Sequence, residues 1–467
     1  MIKHPKRKNL MYYLKRLVVL VILCLTGYFA PIYWEKQDQL DVKKILDDSE
    51  LKNKTFEAKV QKIENGVLSA YFMEEHSNPI ISVSFLFKNA GSAHDAEGQH
   101  GLALLASSVL TDGAGEFDEK EFNEFMEENG VKIKFSVTPD DFKGWMAFPS
   151  QNKTTATNLL RAALTEPHAD EKILEVYKNK IKNARLEQNE KPNLILQQKF
   201  NENIFAGHPY SRNYLGNDED VANLTSEDIL NYVKKSLAKD NLMVGIAGDL
   251  TADEAKVLLY DLFGTLSDKN SKSSLEKIDF FAEGVEYNTK HKTAQVVTKF
   301  VSKGAFRSSS DFYPLYLANY ILGESGLSSR LSKVIREKEG LTYGVYTYLT
   351  NSDAVALIEG GFSATPENFE KAQQLLKEEW LKLGKKGVTA EELNEAKKSL
   401  LNSFYLRFAT IDGISDMLVA MQKYNLGLDF LTKRNDYIRQ VSLKDVNAVS
   451  KKYFSTIPDF VNVGVNN

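Results

Sequence analysis

Cysteine is nearly absent. Of 467 residues only Cys24 carries a thiol, so no internal disulfide can form and burial and hydrogen bonding must hold the fold. An excess of one charge is lacking too: 59 basic against 63 acidic side chains leave a net charge of −4. Without a basic stripe there is no source for the phosphate-driven affinity of a nucleic-acid binder. Histidine is sparse, seven in the chain, and His76, His168, His208 and His291 are scattered; they read as surface or packing residues. Disorder is excluded, because 43% apolar and 26% charged residues describe a chain with real cores. The length predicts two or three domains.

A long hydrophobic run occurs at the N-terminus. Lys3, Lys6, Arg7, Lys8, Lys15 and Arg16 precede an uncharged stretch from Leu17 to Trp34. That stretch is long enough to span a bilayer, and its basic flank favours a cytoplasmic start. A cleaved signal peptide has the same outline. Cutting after Ala30 would put Tyr28 at the small-residue position and Pro31 just past the cut, so an uncleaved transmembrane anchor fits better. Leu23, before Cys24, is bulkier than a lipoprotein signal normally allows. Residues 1–35 are thus read as signal anchor or signal peptide and the polar residues 36–55 as a tether. The rest is exported: either periplasmic domains held at a bacterial inner membrane through residues 17–34, or a periplasmic protein if the signal is removed.

Beyond the tether the chain repeats itself. "ISVSFLFKNAGSA" predicts an alternating strand, followed by the helices "GLALLASSVL" and "DEKEFNEFMEENG" and the strand "VKIKFSV". In the second half "AQVVTKFVSKGAF", "YPLYLANYILG", "SSRLSKVIREKEG" and "LTYGVYTYL" follow in the same order. The long amphipathic segments "DEKILEVYKNKIKNARLEQ" and "TAEELNEAKKSLLNSFYLRF" also correspond. Thr225 with Asp228, and Ser442 with Asp445, form matching helix caps three residues apart. Two homologous α+β domains are expected, at 56–266 and 284–467, joined by the Ser- and Lys-rich segment 267–283. Each is predicted to be a mixed, mainly antiparallel sheet with helices packed on one face.

The repeat, the Gly113-Ala114-Gly115 turn and "SSRLSKVIREKEGLTYGVY" resemble the insulinase/pitrilysin zinc metallopeptidases, a group that includes mitochondrial processing peptidases and bacterial two-subunit relatives. The resemblance covers nearly everything after residue 56. It implies a clam-shell, two halves of a chamber around an extended peptide. It also implies a helical H-x-x-E-H motif, whose two histidines one turn apart bind zinc on one helical face while the glutamate activates the bound water. A glutamate on a later helix completes the coordination.

Aligned to that pattern, the positions are His100, Ala103, Leu104 and Ala184. Ala103 cannot take a proton, and neither Leu104 nor Ala184 can bind a metal. His100 alone reads as a solvated histidine at a helix start. Glu187, one turn from Ala184, would still leave the general base missing. The nearby His94, Asp95, Glu97 and His100 read as a polar solvated loop. No metal and no cofactor is expected on this chain.

Arg336 and Tyr343, seven residues apart across "EKEGLTY", match the pair with which, by the same resemblance, the second domain holds substrate and steadies the reacting carbonyl. A guanidinium offers forked donors and a phenol offers one more, but neither starts hydrolysis without an activated water. A chain lacking the zinc motif while keeping this pair resembles the non-catalytic member of a two-subunit peptidase. The expected partners are a zinc-binding homologous subunit and an extended peptide. A non-enzymatic peptide-binding or assembly scaffold of the same fold is the alternative, binding peptide at a sheet edge; an autonomous peptidase is disfavoured.

Overall fold

The computed structural model describes residues 59–465. The anchor and tether lie outside those residues. No helix among the described residues is long and apolar enough to cross a membrane.

The first sheet comprises β1 (Gln61–Asn65), β2 (Leu68–Glu74), β3 (Ile80–Lys88), β4 (Lys132–Val137), β5 (Asp141–Pro149) and β6 (Leu242–Gly248), in the order β1-β2-β6-β3-β5-β4. The second comprises β7 (Glu286–Thr289), β8 (Val296–Lys303), β9 (Val345–Asn351), β10 (Ala356–Ala364) and β11 (Asp459–Val463), in the order β7-β11-β8-β10-β9. The β2–β6 and β7–β11 pairs are parallel, and every other pair is antiparallel. The second sheet therefore repeats five strands of the first in order and direction. Both Thr225 and Ser442 cap their helices through reciprocal bonds with Asp228 and Asp445.

Each sheet carries an apolar core on its helical face. Phe85, Phe142, Phe148 and Phe263 are enclosed in the first, Phe300, Trp380, Phe454 and Phe460 in the second. The opposite faces differ from the expectation of helices on one side only. Leu196, Phe200 and Ile204 of the Pro192–Ile204 helix, from the first half, pack on Val297, Val301, Leu357 and Val461 of the second sheet. Reciprocally, Ile414, Leu418 and Met421 of the Ile411–Lys423 helix pack on Met73 and Ala247 of the first sheet. The described residues 59–465 thus belong to a single compact unit.

This exchange explains why β3 is buried on both faces rather than alternating between core and water. Its polar positions, Ser82 and Ser84, face Ser415 of the 411–423 helix, with hydroxyl–hydroxyl distances of 3.0 and 2.8 Å, and Ser84 donates to Asp416 at 2.6 Å. Gly245 in β6 lets the helix approach this closely, since a Cβ there would lie 2.3 Å from the Ser415 carbonyl oxygen. Segment 267–283 has no helix or strand, yet it is pinned to the surface: the Ile278 amide donates to the Ala354 carbonyl at 2.9 Å, and Leu275 and Phe280 pack on the apolar layer.

Candidate functional site

The segment expected to be a solvated loop closes on itself instead. Asp95 is only 5% exposed and accepts from the Gly101 amide at 2.9 Å and the Ala103 amide at 3.1 Å, so it caps the Leu102–Val109 helix. Burial pushes its carboxyl up to about 7, against the pull of those amides. His94 is half-buried, and burial holds its imidazole toward the neutral form. Glu97 alone stays in solvent, with a side chain 88% exposed.

His100 is likewise not a solvated helix-start histidine. Its side chain is 15% exposed and Nδ1 lies 2.7 Å from Asp220, which also accepts the His100 backbone N–H at 3.1 Å. Nε2 is enclosed without a hydrogen-bond partner. Asp220 comes from the short Asp218–Asn223 helix, placed by the turn at Gly216, where φ is +68° and a Cβ would lie 2.1 Å from the His100 carbonyl oxygen. Only glycine fits such a left-handed, crowded position without strain.

Ala103 is fully enclosed in the first core, and Leu104 and Ala184 are half-buried against it where the 102–109 helix meets the Glu171–Glu190 helix. Beside Ala184, Arg185 donates to the Gly216 carbonyl at 3.1 Å and pairs with Asp218. These residues do not fit zinc. One imidazole nitrogen is engaged by a carboxylate and the other is enclosed. The remaining ligand positions are aliphatic, and a guanidinium lies next to one of them. Among the described residues no group of three or more His, Cys, Asp and Glu is placed to hold a metal. Sequence reasoning missed Asp220 and Arg185 because no local pattern marks them; Asp220 lies 120 residues from its partner.

The remaining histidines make separate contacts. His76 is exposed between Glu74 and Asp249, whose hydrogen bonds, Asp249's first, raise its imidazole above the usual range. Ring nitrogens of His168, His208 and His291 lie near the carbonyls of Gly115, Glu276 and Glu190.

Arg336 lies on a π-helical segment, Ser332–Lys338, and is exposed. Tyr343 was expected in the following strand but precedes it; β9 begins at Val345. The Thr342 hydroxyl donates to the Ser363 carbonyl at 2.6 Å and accepts from the Gly344 amide at 3.2 Å. These local bonds replace the ladder and leave Tyr343 84% exposed. Neither Arg336 nor Tyr343 has a side-chain hydrogen bond or ion pair among the described residues, and no such bond links them to His100, Ala103, Leu104 or Ala184.

Residues 71–218 match the family described as insulinase (peptidase family M16), and residues 223–400 match the peptidase M16 inactive domain. The non-peptidase homologue YmxG of Helicobacter pylori is 26% identical over 397 residues, covering 84% of this chain and 90% of that protein. The uncharacterized zinc protease YmxG of Bacillus subtilis is 21% identical over 373 residues, 78% of this chain and 88% of its own length. A crystal structure described as a peptidase M16 inactive domain, from Pseudomonas fluorescens, superposes with a TM-score of 0.81 at 23% identity, covering 87% of this chain and 98% of that one. With its repeated sheets, its degenerate helix and matches along most of its length, the chain belongs to the M16 insulinase family, and one of its relatives is described as a non-peptidase homologue.

Proposed function

We propose that this chain is the non-catalytic subunit of an exported heteromeric zinc peptidase. Its partner, an H-x-x-E-H homologue, holds the zinc and the general base. This chain supplies Arg336, Tyr343 and half of the chamber around an extended peptide. The observation that carries the reading is an asymmetry. His100 is taken up by Asp220 and Ala103 is packed into the core, whereas Arg336 and Tyr343 are exposed with no partner among the described residues. In this reading residues 56–266 and 284–467 are the two halves of a clam-shell joined by the linker 267–283. Residues 1–35 and 36–55 hold it at the inner membrane, facing the periplasm.

Co-expression with an exported H-x-x-E-H homologue is expected to yield chelator-sensitive peptide cleavage. Arg336→Ala and Tyr343→Phe should each lower kcat on the order of a hundredfold, the scale for losing one donor to a developing oxyanion. Full activity in both variants would remove the proposed role. The second reading, a peptide clamp without chemistry, is favoured by β4 and β9 lying at sheet edges, where an extended peptide can add as a strand. Stoichiometric peptide binding with no cleavage beside any zinc-bearing homologue would select it.

A further inference from the structure

A cavity of about 240 Å³ lies wholly in the second half, lined in part by Phe404 and Arg407 of the turn 404–408 that leads into the 411–423 helix. Three guanidiniums line it: Arg307, Arg407 and Arg434. Tyr313, Tyr316 and Tyr348 add phenols, and Glu324 is the only carboxylate in the lining. None of the three arginines forms an ion pair with a carboxylate among the described residues. Arg434, 7% exposed, donates to the Leu400 carbonyl at 2.9 Å and lies 4.4 Å from the Phe404 ring centre. Arg307 stands 5.2 and 5.0 Å from the rings of Phe312 and Tyr424, and neither it nor Arg407 donates a side-chain hydrogen bond among the described residues.

We propose that this cavity binds a phosphoryl dianion, as inorganic phosphate or as a phosphomonoester. Three positive charges against one carboxylate leave an excess of two, which a dianion neutralises. Such an unbalanced cluster is costly unless an anion enters, because partly buried like charges repel and are poorly hydrated. Guanidinium forks match phosphate oxygens bidentately, and phenols supply further donors. The aromatic wall of Phe312, Tyr313 and Tyr316 accommodates the organic part of an ester. Burial acts in the same direction on the one carboxylate, raising the Glu324 carboxyl toward its neutral form, so that it offsets the arginines no further than this count allows. Met417 and Ala420 of the 411–423 helix also line the cavity, so an occupant would touch the helix that crosses to the first sheet. This site is independent of the proposed peptidase role.

The test is calorimetric titration of the full chain in detergent with inorganic phosphate, phenyl phosphate and glutarate, each at ionic strength matched with chloride. One phosphate-type ligand per chain is expected, weakened about tenfold or more by Arg407→Gln or Arg307→Gln through loss of one bidentate partner. Equal affinity for the two phosphates identifies the free ion as the occupant; markedly tighter phenyl phosphate identifies an ester. Arg407 is exposed, so Arg407→Gln decides the matter even where Arg307→Gln fails to fold. Binding no stronger than in chloride, unchanged affinity in Arg407→Gln, or glutarate binding tighter than both phosphates would overturn the proposal.

Discussion

Asp95 shows how one side chain both builds the degenerate helix and makes it sensitive to pH. It caps the 102–109 helix with both oxygens from a nearly sealed position, and burial raises its carboxyl to about 7. A carboxyl raised on folding contributes stability that is complete below the unfolded value, near 3.8, and is lost as pH rises through about 7. Comparing the native chain with Asp95→Ala by urea unfolding at pH 5 and pH 8 should therefore give a larger gap at pH 5. The difference between the two gaps is on the order of 2 kcal/mol. A gap that is the same or larger at pH 8 would rule this linkage out. The aspartate itself was visible in the sequence, but not its enclosure, because the groups that seal it come from distant segments.

At the scale of elements, two helices lie across the boundary between the halves. The 411–423 helix lies on β3 and β6 because Gly245 offers it a bare backbone and Ser82 and Ser84 offer hydroxyls. Gly245→Ala should push Ser415 away and cost about 1–3 kcal/mol, the range for overpacking a tight contact, read as a lower urea midpoint. An unchanged midpoint would mean that the approach is looser than described. The order of strands and helices was legible in the repeated pattern, as were the caps at Thr225 and Ser442. The double burial of β3 was not. A serine facing a helix and a serine facing water look alike in a strand pattern, and the partner lies over 300 residues away.

At the scale of the whole molecule, a buried charge cluster ties the halves together. Lys423 pairs with Asp141, lies 3.4 Å from Asp353 and 4.0 Å from Asp140. Tyr210 donates to Asp140 and accepts from the Ala354 amide at 3.1 Å, so both halves contribute on both sides. Burial opposes the Lys423 charge, but the three carboxylates, Asp141 foremost, outweigh it and hold the ammonium above its usual range. Lys423→Met would leave Asp141, fully enclosed, without its cation. The expected loss is about 3–5 kcal/mol in equilibrium unfolding. Stability equal to the native chain would show that the cluster holds nothing together.

The sequence by itself determined that the peptidase motif is degenerate. Methyl and isobutyl groups at 103, 104 and 184 cannot bind a metal or move a proton, whatever surrounds them. It also determined the repeated order of elements, because hydrophobic period and capping are local properties of the chain. Only the tertiary structure decided what became of His100, which residues cover the outer faces of the sheets, and that three arginines share one cavity. Those outcomes depend on groups brought together across 100 residues or more. Such contacts are selected by the shape and charge of the assembled surfaces, and no short stretch of sequence carries them.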